Sequence, residues 1–344
     1  MISKAAVLYE VGQPLVVEYD LTVPKLRRGQ VFVELAYSGV CRSQWMEVKG
    51  HRGPDRYLPH ALGHEGVGVV LETGPDVSRV RCGDMVMLSW MPGAGIDSGG
   101  THYLKGSKVI NAGPVTTFSS HSVVSENRCF LWPRDLAPEV GVLFGCALPT
   151  GAGLVRNCVK PAKGDTVCIV GLGGVGLSAL VSTLCYELTE IIVIEPDFNK
   201  RQLALELGAT IALEPASDVI AQVMDVTNGE GVDVAIEAAG SVSSIQLAFD
   251  LIKYGGGQCV FASHPRFGDL LEIDPFDLIR GKTIRGSWGG EADMDTDYPL
   301  LVKEFAAGGL PLDKLVESPS ALEDINEVLD SVATGKLRRP LIAF

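Results

Sequence analysis

The sequence predicts an α/β protein of two domains, a mostly β domain and a doubly wound parallel sheet, and three features carry that prediction. Short runs of strand pattern extend from Lys4 to Val124, helical spacing replaces them from Leu136 to Asn157, and beyond that strand and helix patterns alternate. At 344 residues the chain is also long for one hydrophobic core, so two domains are the default.

Taken in order, Val31 to Tyr37 has strand texture, punctuated nearby by Pro14, Pro24 and Gly29, and Gly66 to Glu72 and Val80 to Leu88 continue it with a turn at Gly83 and Asp84. Residues 91 to 114 are rich in glycine and poor in apolar side chains, which predicts a long surface loop before strand pattern returns at His121 to Val124. A domain boundary is expected near residue 148. Past it, strand Thr166 to Val170 leads to helix Gly174 to Glu187, and strand Ile191 to Glu195 leads to helix Lys200 to Leu207. Val232 to Glu237 and Gln258 to Ala262 repeat the rhythm, and β-α units of this length build a parallel sheet. The tail carries helical spacing at 298–307 and 321–334, then a last strand from Pro340 to Phe344 that can rejoin the first domain.

The bulk properties exclude several functions. A formal charge of -13 repels phosphate, which argues against nucleic-acid and anionic-membrane partners. Eight cysteines are scattered without a CxxC pair, so a reducing, cytoplasmic setting is expected rather than a disulfide framework. No signal peptide is read at Met1 to Val7. The uncharged run Val167 to Tyr186 is long enough to span a bilayer, but its early glycines favour a buried strand, a turn and a buried helix.

Two motifs carry chemistry. Cys41, with His64 and Glu65 about two dozen residues on, offers sulfur, nitrogen and oxygen ligands for a borderline-soft metal such as zinc, although the pair alone is weak. Gly171, Gly173, Gly174, Val175 and Gly176 complete a GxGxxG turn between an apolar strand and an apolar helix. Its first glycine permits the turn, the second lets a pyrophosphate approach the backbone, and the third brings helix against strand. Glu195 stands 195 − 171 = 24 positions after Gly171, where a carboxylate accepts from ribose hydroxyls. That carboxylate and Asp197 would repel a 2′-phosphate, which favours NAD over NADP, while Lys200 and Arg201 temper the preference.

With Gly39 to Ser43, Gly63 to Gly68, Gly83-Asp84, Gly145-Cys146, Thr150-Gly151, Gly281 to Gly286 and Gly335 to Arg339, the chain resembles the zinc-dependent medium-chain alcohol dehydrogenases over essentially its whole length. The resemblance implies a GroES-like catalytic domain at 1–147 and 290–344, and a Rossmann dinucleotide-binding domain at 148–289. It implies Cys41, His64 and Cys146 as zinc ligands around an open position. Glu65 would be an exchangeable fourth ligand or an outer group. It further implies Ser43 as a proton-relay hydroxyl and Arg42 and Arg339 as pyrophosphate contacts. Thr150 and Val175 would lie near the nicotinamide, Lys200 near the cofactor, and Trp90 and Trp288 at the substrate pocket.

The expected reaction interconverts an alcohol, primary or secondary, with an aldehyde or ketone, using NAD and one catalytic zinc per subunit, and polyols and sugar-derived alcohols are among the candidates. The alternatives are an NADPH-dependent reductase of the same superfamily and a non-catalytic dinucleotide-binding protein. A homodimer is expected, with a tetramer as the alternative.

Three departures from the family pattern stand out. No cysteine lies in 85–115, where many members carry a structural zinc, Gln44 replaces the usual Asp, and Met46 replaces an outer relay His.

Overall fold

The computed structural model describes residues 1–344. The chain divides into two compact units, one of Met1–Cys146, Asp293–Ala307 and Leu312–Phe344, the other of Ala147–Ala292 and Gly308–Pro311.

In the first unit, strands Ile2–Leu8, Val16–Thr22, Thr101–Lys105, Lys108–Ala112 and His60–Ala61 close a barrel. A six-stranded sheet stands beside it, with Gln30–Gly39 and Glu65–Thr73 at its centre and Leu341–Ala343 at one edge. The last strand pairs antiparallel with Gln30–Gly39, Leu341 opposite Gly39, so the tail does rejoin the first unit. Helix Ile325–Ala333 follows the same route. Its Ile325, Val328 and Leu329 are buried with Val40, Val48, Leu62 and Phe118, a core in which a Leu or Ile to Ala change costs about 2–5 kcal/mol. This core flanks both Cys41 and His64 in sequence and thereby fixes their elements.

One expectation fails here. The stretch 91–114 is not a loop throughout, because Thr101–Lys105 and Lys108–Ala112 form an antiparallel hairpin. Each strand sends only one large apolar residue fully inward, Tyr103 and Ile110, so composition hides the pattern. The non-hairpin part is held by buried Glu126, whose carboxylate accepts from the backbone of Ser78 (2.6 Å), Arg79 (2.8 Å) and Ile96 (2.9 Å).

The second unit is a six-stranded parallel sheet. Its order is Ile211–Leu213, Glu190–Ile194, Thr166–Val170, Val234–Glu237, Gln258–Phe261, Thr283–Gly286, which in chain numbering is 3-2-1-4-5-6. In such sheets ligands bind at the carboxyl ends of the strands where the order reverses, here between Thr166–Val170 and Val234–Glu237. Phe198–Leu207 starts two residues earlier than the sequence predicts because Asp197 caps it, accepting from Lys200 N at 2.9 Å. No single helix is long and apolar enough to cross a membrane, and the run 167–186 is the strand, turn and helix its glycines indicate.

Candidate active site

Cys41, His64 and Cys146 come together in the first unit, one ligand atom from each lying within 4.8 Å of the others. Three local devices aim them. Cys41 is the N-cap of helix Arg42–Val48, His64 immediately precedes strand Glu65–Thr73, and Cys146 ends the turn Val142–Gly145 in a non-helical conformation. Ser43 therefore lies in the first turn of the helix and is not its cap.

The donors are prepared for a soft cation. His64 Nε2 is buried and has no protein partner. With its amide oxygen turned toward the 63–64 segment, buried Gln44 accepts from His64 Nδ1 (2.8 Å), His64 N (3.2 Å) and Gly63 N (3.1 Å). This puts the ring hydrogen on Nδ1 and leaves the Nε2 lone pair facing the two sulfurs. The hydrogen bond from Cys146 holds the Cys41 thiol well below its ordinary range against desolvation. Cys146, bonded to that thiolate and desolvated, is pushed well above the range. The pair thus holds one proton, and an orphaned nitrogen beside a thiolate suits zinc.

Glu65 is turned elsewhere. Its fully buried carboxylate is gripped through both oxygens by Arg339, itself only 3% exposed. Burial pushes the Glu65 carboxyl up and Arg339 opposes it, while the Arg339 guanidinium is held charged chiefly by Glu65 against its own desolvation. The two-oxygen contact keeps the pair ionic. Glu65 thus stands outside the group of Cys41, His64 and Cys146, held by one terminal nitrogen of Arg339, whose Nε is buried without a partner.

In the second unit the glycine turn has the shape its motif requires. Gly171 has φ +90°, a methyl at Gly176 would stand 1.9 Å from the Gly171 carbonyl oxygen, and a methyl at Gly173 would meet nothing within 4 Å. The open space at Gly173, at the start of helix Gly174–Thr183, is where a phosphate can reach backbone N–H groups. Glu195 is buried, not solvated, and accepts from Leu172 N (2.7 Å) and Asp197 N (3.1 Å), which ties the next strand end to the turn. A carboxylate has further lone pairs for ribose hydroxyls. Thr150 Oγ1 is buried without a protein partner. The residues present suit a dinucleotide.

Family models described as alcohol dehydrogenase GroES-like domain and zinc-binding dehydrogenase match residues 27–134 and 174–307. The chain is 30% identical to the S-(hydroxymethyl)glutathione dehydrogenase of Synechocystis sp. over the whole of both proteins. The chain belongs to the zinc-dependent medium-chain alcohol dehydrogenases. Among solved structures, benzyl alcohol dehydrogenase from Acinetobacter calcoaceticus is similar at TM-score 0.88 and 25% identity, covering 100% of both chains. An alcohol dehydrogenase zinc-binding domain protein from Burkholderia ambifaria follows at TM-score 0.87 and 28% identity, covering 99% of this chain and 98% of that one. The protein is thus an oxidoreductase with a GroES-like domain and a Rossmann domain.

Within this dehydrogenase the remaining expected residues divide. Trp90 packs in part on the core around Val31, Val86 and Leu88. Trp288 is 67% exposed on the second unit, edge-on to His264 at 5.6 Å. Lys200 is buried, Val175 follows Gly174 at the head of its helix, and Arg42 is half-buried in the first turn of the helix after Cys41.

One carboxylate was not singled out by sequence reasoning. Glu237 ends its strand as Glu195 follows its own, fully buried, and accepts from Ala239 N (2.9 Å), Gly240 N (2.7 Å) and Ser244 Oγ (2.7 Å). The shared strand-end position was the signal.

Proposed function

We propose that the protein is a zinc- and NAD-dependent dehydrogenase that interconverts a small alcohol, primary or secondary, with its aldehyde or ketone. The observation that carries this reading is the buried, partnerless Nε2 of His64 in a group whose ligand atoms, one each from His64, Cys41 and Cys146, lie within 4.8 Å of one another. The first unit is the catalytic domain and the second the dinucleotide-binding domain. When bound, zinc supplies a Lewis acid for the substrate oxygen and the nicotinamide supplies the hydride acceptor.

The chain's own residues do the rest. Cys41, His64 and Cys146 hold the ion, and Gln44 fixes the His64 tautomer. Ser43 Oγ, in the first helical turn, takes the proton released from the alcohol. Met46 is buried and carries no titratable group, so the proton leaves by a path other than residue 46. Glu195, with Asp197 beside it, favours NAD by disfavouring a 2′-phosphate. Arg201 supports this preference, because its guanidinium is committed to the carbonyls of Glu195 (2.6 Å) and Pro196 (2.8 Å) and to Glu214.

The substrate class is alcohols, in keeping with the names of the relatives, and extends to polyols and sugar-derived alcohols. A metal-free double-bond reductase would have no use for the three assembled donors. Strand Thr283–Gly286 ends the sheet with one edge open, beside exposed Phe276, Ile279 and Trp288, which supports a homodimer, with a tetramer as its extension. The working compartment is the cytoplasm.

The test is an NAD-reduction screen over an alcohol panel with protein of measured zinc content. Reduction of NAD by at least one alcohol, with turnover lost in Cys41→Ala, is expected. Metal-replete protein that reduces no NAD and binds no NADH defeats the proposal, as does a Cys41→Ala variant with unchanged turnover.

A further inference from the structure

We propose that Glu47, Asp55 and His60 form a second divalent-cation site, separate from the thiolate cluster, which fastens helix Arg42–Val48 to the segment that carries His64. One ligand atom from each of the three lies within 4.8 Å of the others. His60 is only 7% exposed, and its Nδ1 stands 3.1 Å from the carbonyl oxygen of Ala61. A carbonyl only accepts, so Nδ1 carries the ring hydrogen. Nε2 then faces Asp55 Oδ2 at 2.8 Å and Glu47 Oε1 at 3.9 Å. A neutral ring in this tautomer aims a lone pair at two carboxylates, and a proton or a metal ion held between Nε2 and those oxygens removes that repulsion.

The donor set is one a metal ion can use. Ligand distances near 2.0–2.2 Å place tetrahedral donors roughly 3.3 Å apart, and the observed separations of 2.8 Å and 3.9 Å bracket that spacing. Two carboxylates supply the two negative charges a divalent ion needs. One nitrogen and two oxygens suit Zn²⁺ or Mn²⁺. Each donor is also oriented from behind. Ala61 holds the ring, Tyr57 N donates to the other Asp55 oxygen at 2.8 Å, and Arg52 approaches the other Glu47 oxygen at 3.5 Å. Glu47 lies on the helix that Cys41 caps and that carries Gln44, while His60 is four positions before His64. An ion here braces two of the three thiolate-site ligands without touching substrate. The missing cysteines that predict a single zinc per subunit give no signal for this site.

The experiment starts from protein with its thiolate cluster already zinc-loaded. Mn²⁺ binding is followed by loss of the free-ion electron paramagnetic resonance signal, and added Zn²⁺ by calorimetry and melting temperature. Wild type should bind one further ion per chain and melt higher with it. Changing an outer group commonly costs about 10- to 100-fold in metal affinity, so loss of a ligand in Asp55→Asn or His60→Asn should cost at least about tenfold. Glu47→Gln, at a half-buried helix position, provides a variant whose fold is not at risk, and it should show the same loss. The proposal is overturned if no ion binds beyond the thiolate cluster, or if binding is equal in wild type and Glu47→Gln. It is also overturned if nitrogen NMR shows His60 doubly protonated and unchanged on adding Zn²⁺.

Discussion

The thiolate cluster and the dinucleotide turn are built from different parts of the chain. At the cluster everything depends on side chains, since Cys41, His64 and Cys146 arrive from three elements and each atom's protonation is set by a neighbour. At the turn almost everything depends on backbone, since Gly171, Gly173 and Gly176 act by the side chains they lack. A side-chain site fails by losing chemistry while its fold survives. A backbone site fails through steric overlap, either with the protein or with the ligand.

That contrast can be tested directly. The largest effect is expected for Cys146→Ser, which should lose zinc and lower turnover by about 10³-fold or more, because Lewis-acid stabilisation is worth several kcal/mol and each ~1.4 kcal/mol is tenfold. NADH binding, measured by fluorescence titration, should persist. If it vanished as well, the two sites would not be separable.

Next, Gly176→Ala should lower stability by about 1–3 kcal/mol, because the added methyl meets a backbone oxygen that cannot rotate away. Gly173→Ala faces open space and should leave the melting temperature unchanged while weakening NADH binding. Equal melting losses in the two glycine variants would remove the distinction between protein-facing and ligand-facing glycines.

A third test is protonic. At pH 7 zinc uptake by metal-free protein should release about one proton, from Cys146, whose thiol is pushed up by Cys41 and by burial. Metal and proton compete for that sulfur, so affinity should rise as pH rises. Calorimetry in buffers of different ionisation enthalpy counts the proton, and a count of zero would place both cysteines as thiolates beforehand. The smallest effect is expected from Gln44→Asp, which keeps an acceptor for His64 Nδ1 and adds negative charge. Zinc should be retained and turnover should change only about a few-fold, below the roughly 10- to 100-fold range of outer-group changes.

Legibility in the sequence follows the same division. The glycine turn was readable because a local motif encodes a local backbone shape, and the β-α rhythm around it was readable for the same reason. The hairpin Thr101–Lys105 and Lys108–Ala112 was hidden, since one inward residue per strand gives no alternation to detect. Arg339 and Glu65 pair across 274 positions, a separation at which no periodicity connects two charges. The resemblance singled out both residues, yet a family position does not name the protein partner that holds each of them.

The Glu65–Arg339 pair also has a consequence for synthesis. Translation at about 5–20 residues/s leaves Glu65 waiting roughly 14 to 55 s for the arginine that neutralises it. During that interval the strand Gln30–Gly39 also lacks its partner Leu341–Ala343. The dinucleotide unit, contiguous but for four residues at 308–311, can close while the catalytic unit is still incomplete on the ribosome. Completion of the first unit is therefore a late event in the life of the chain, although Cys41, His64 and Cys146 are all made within its first 146 residues.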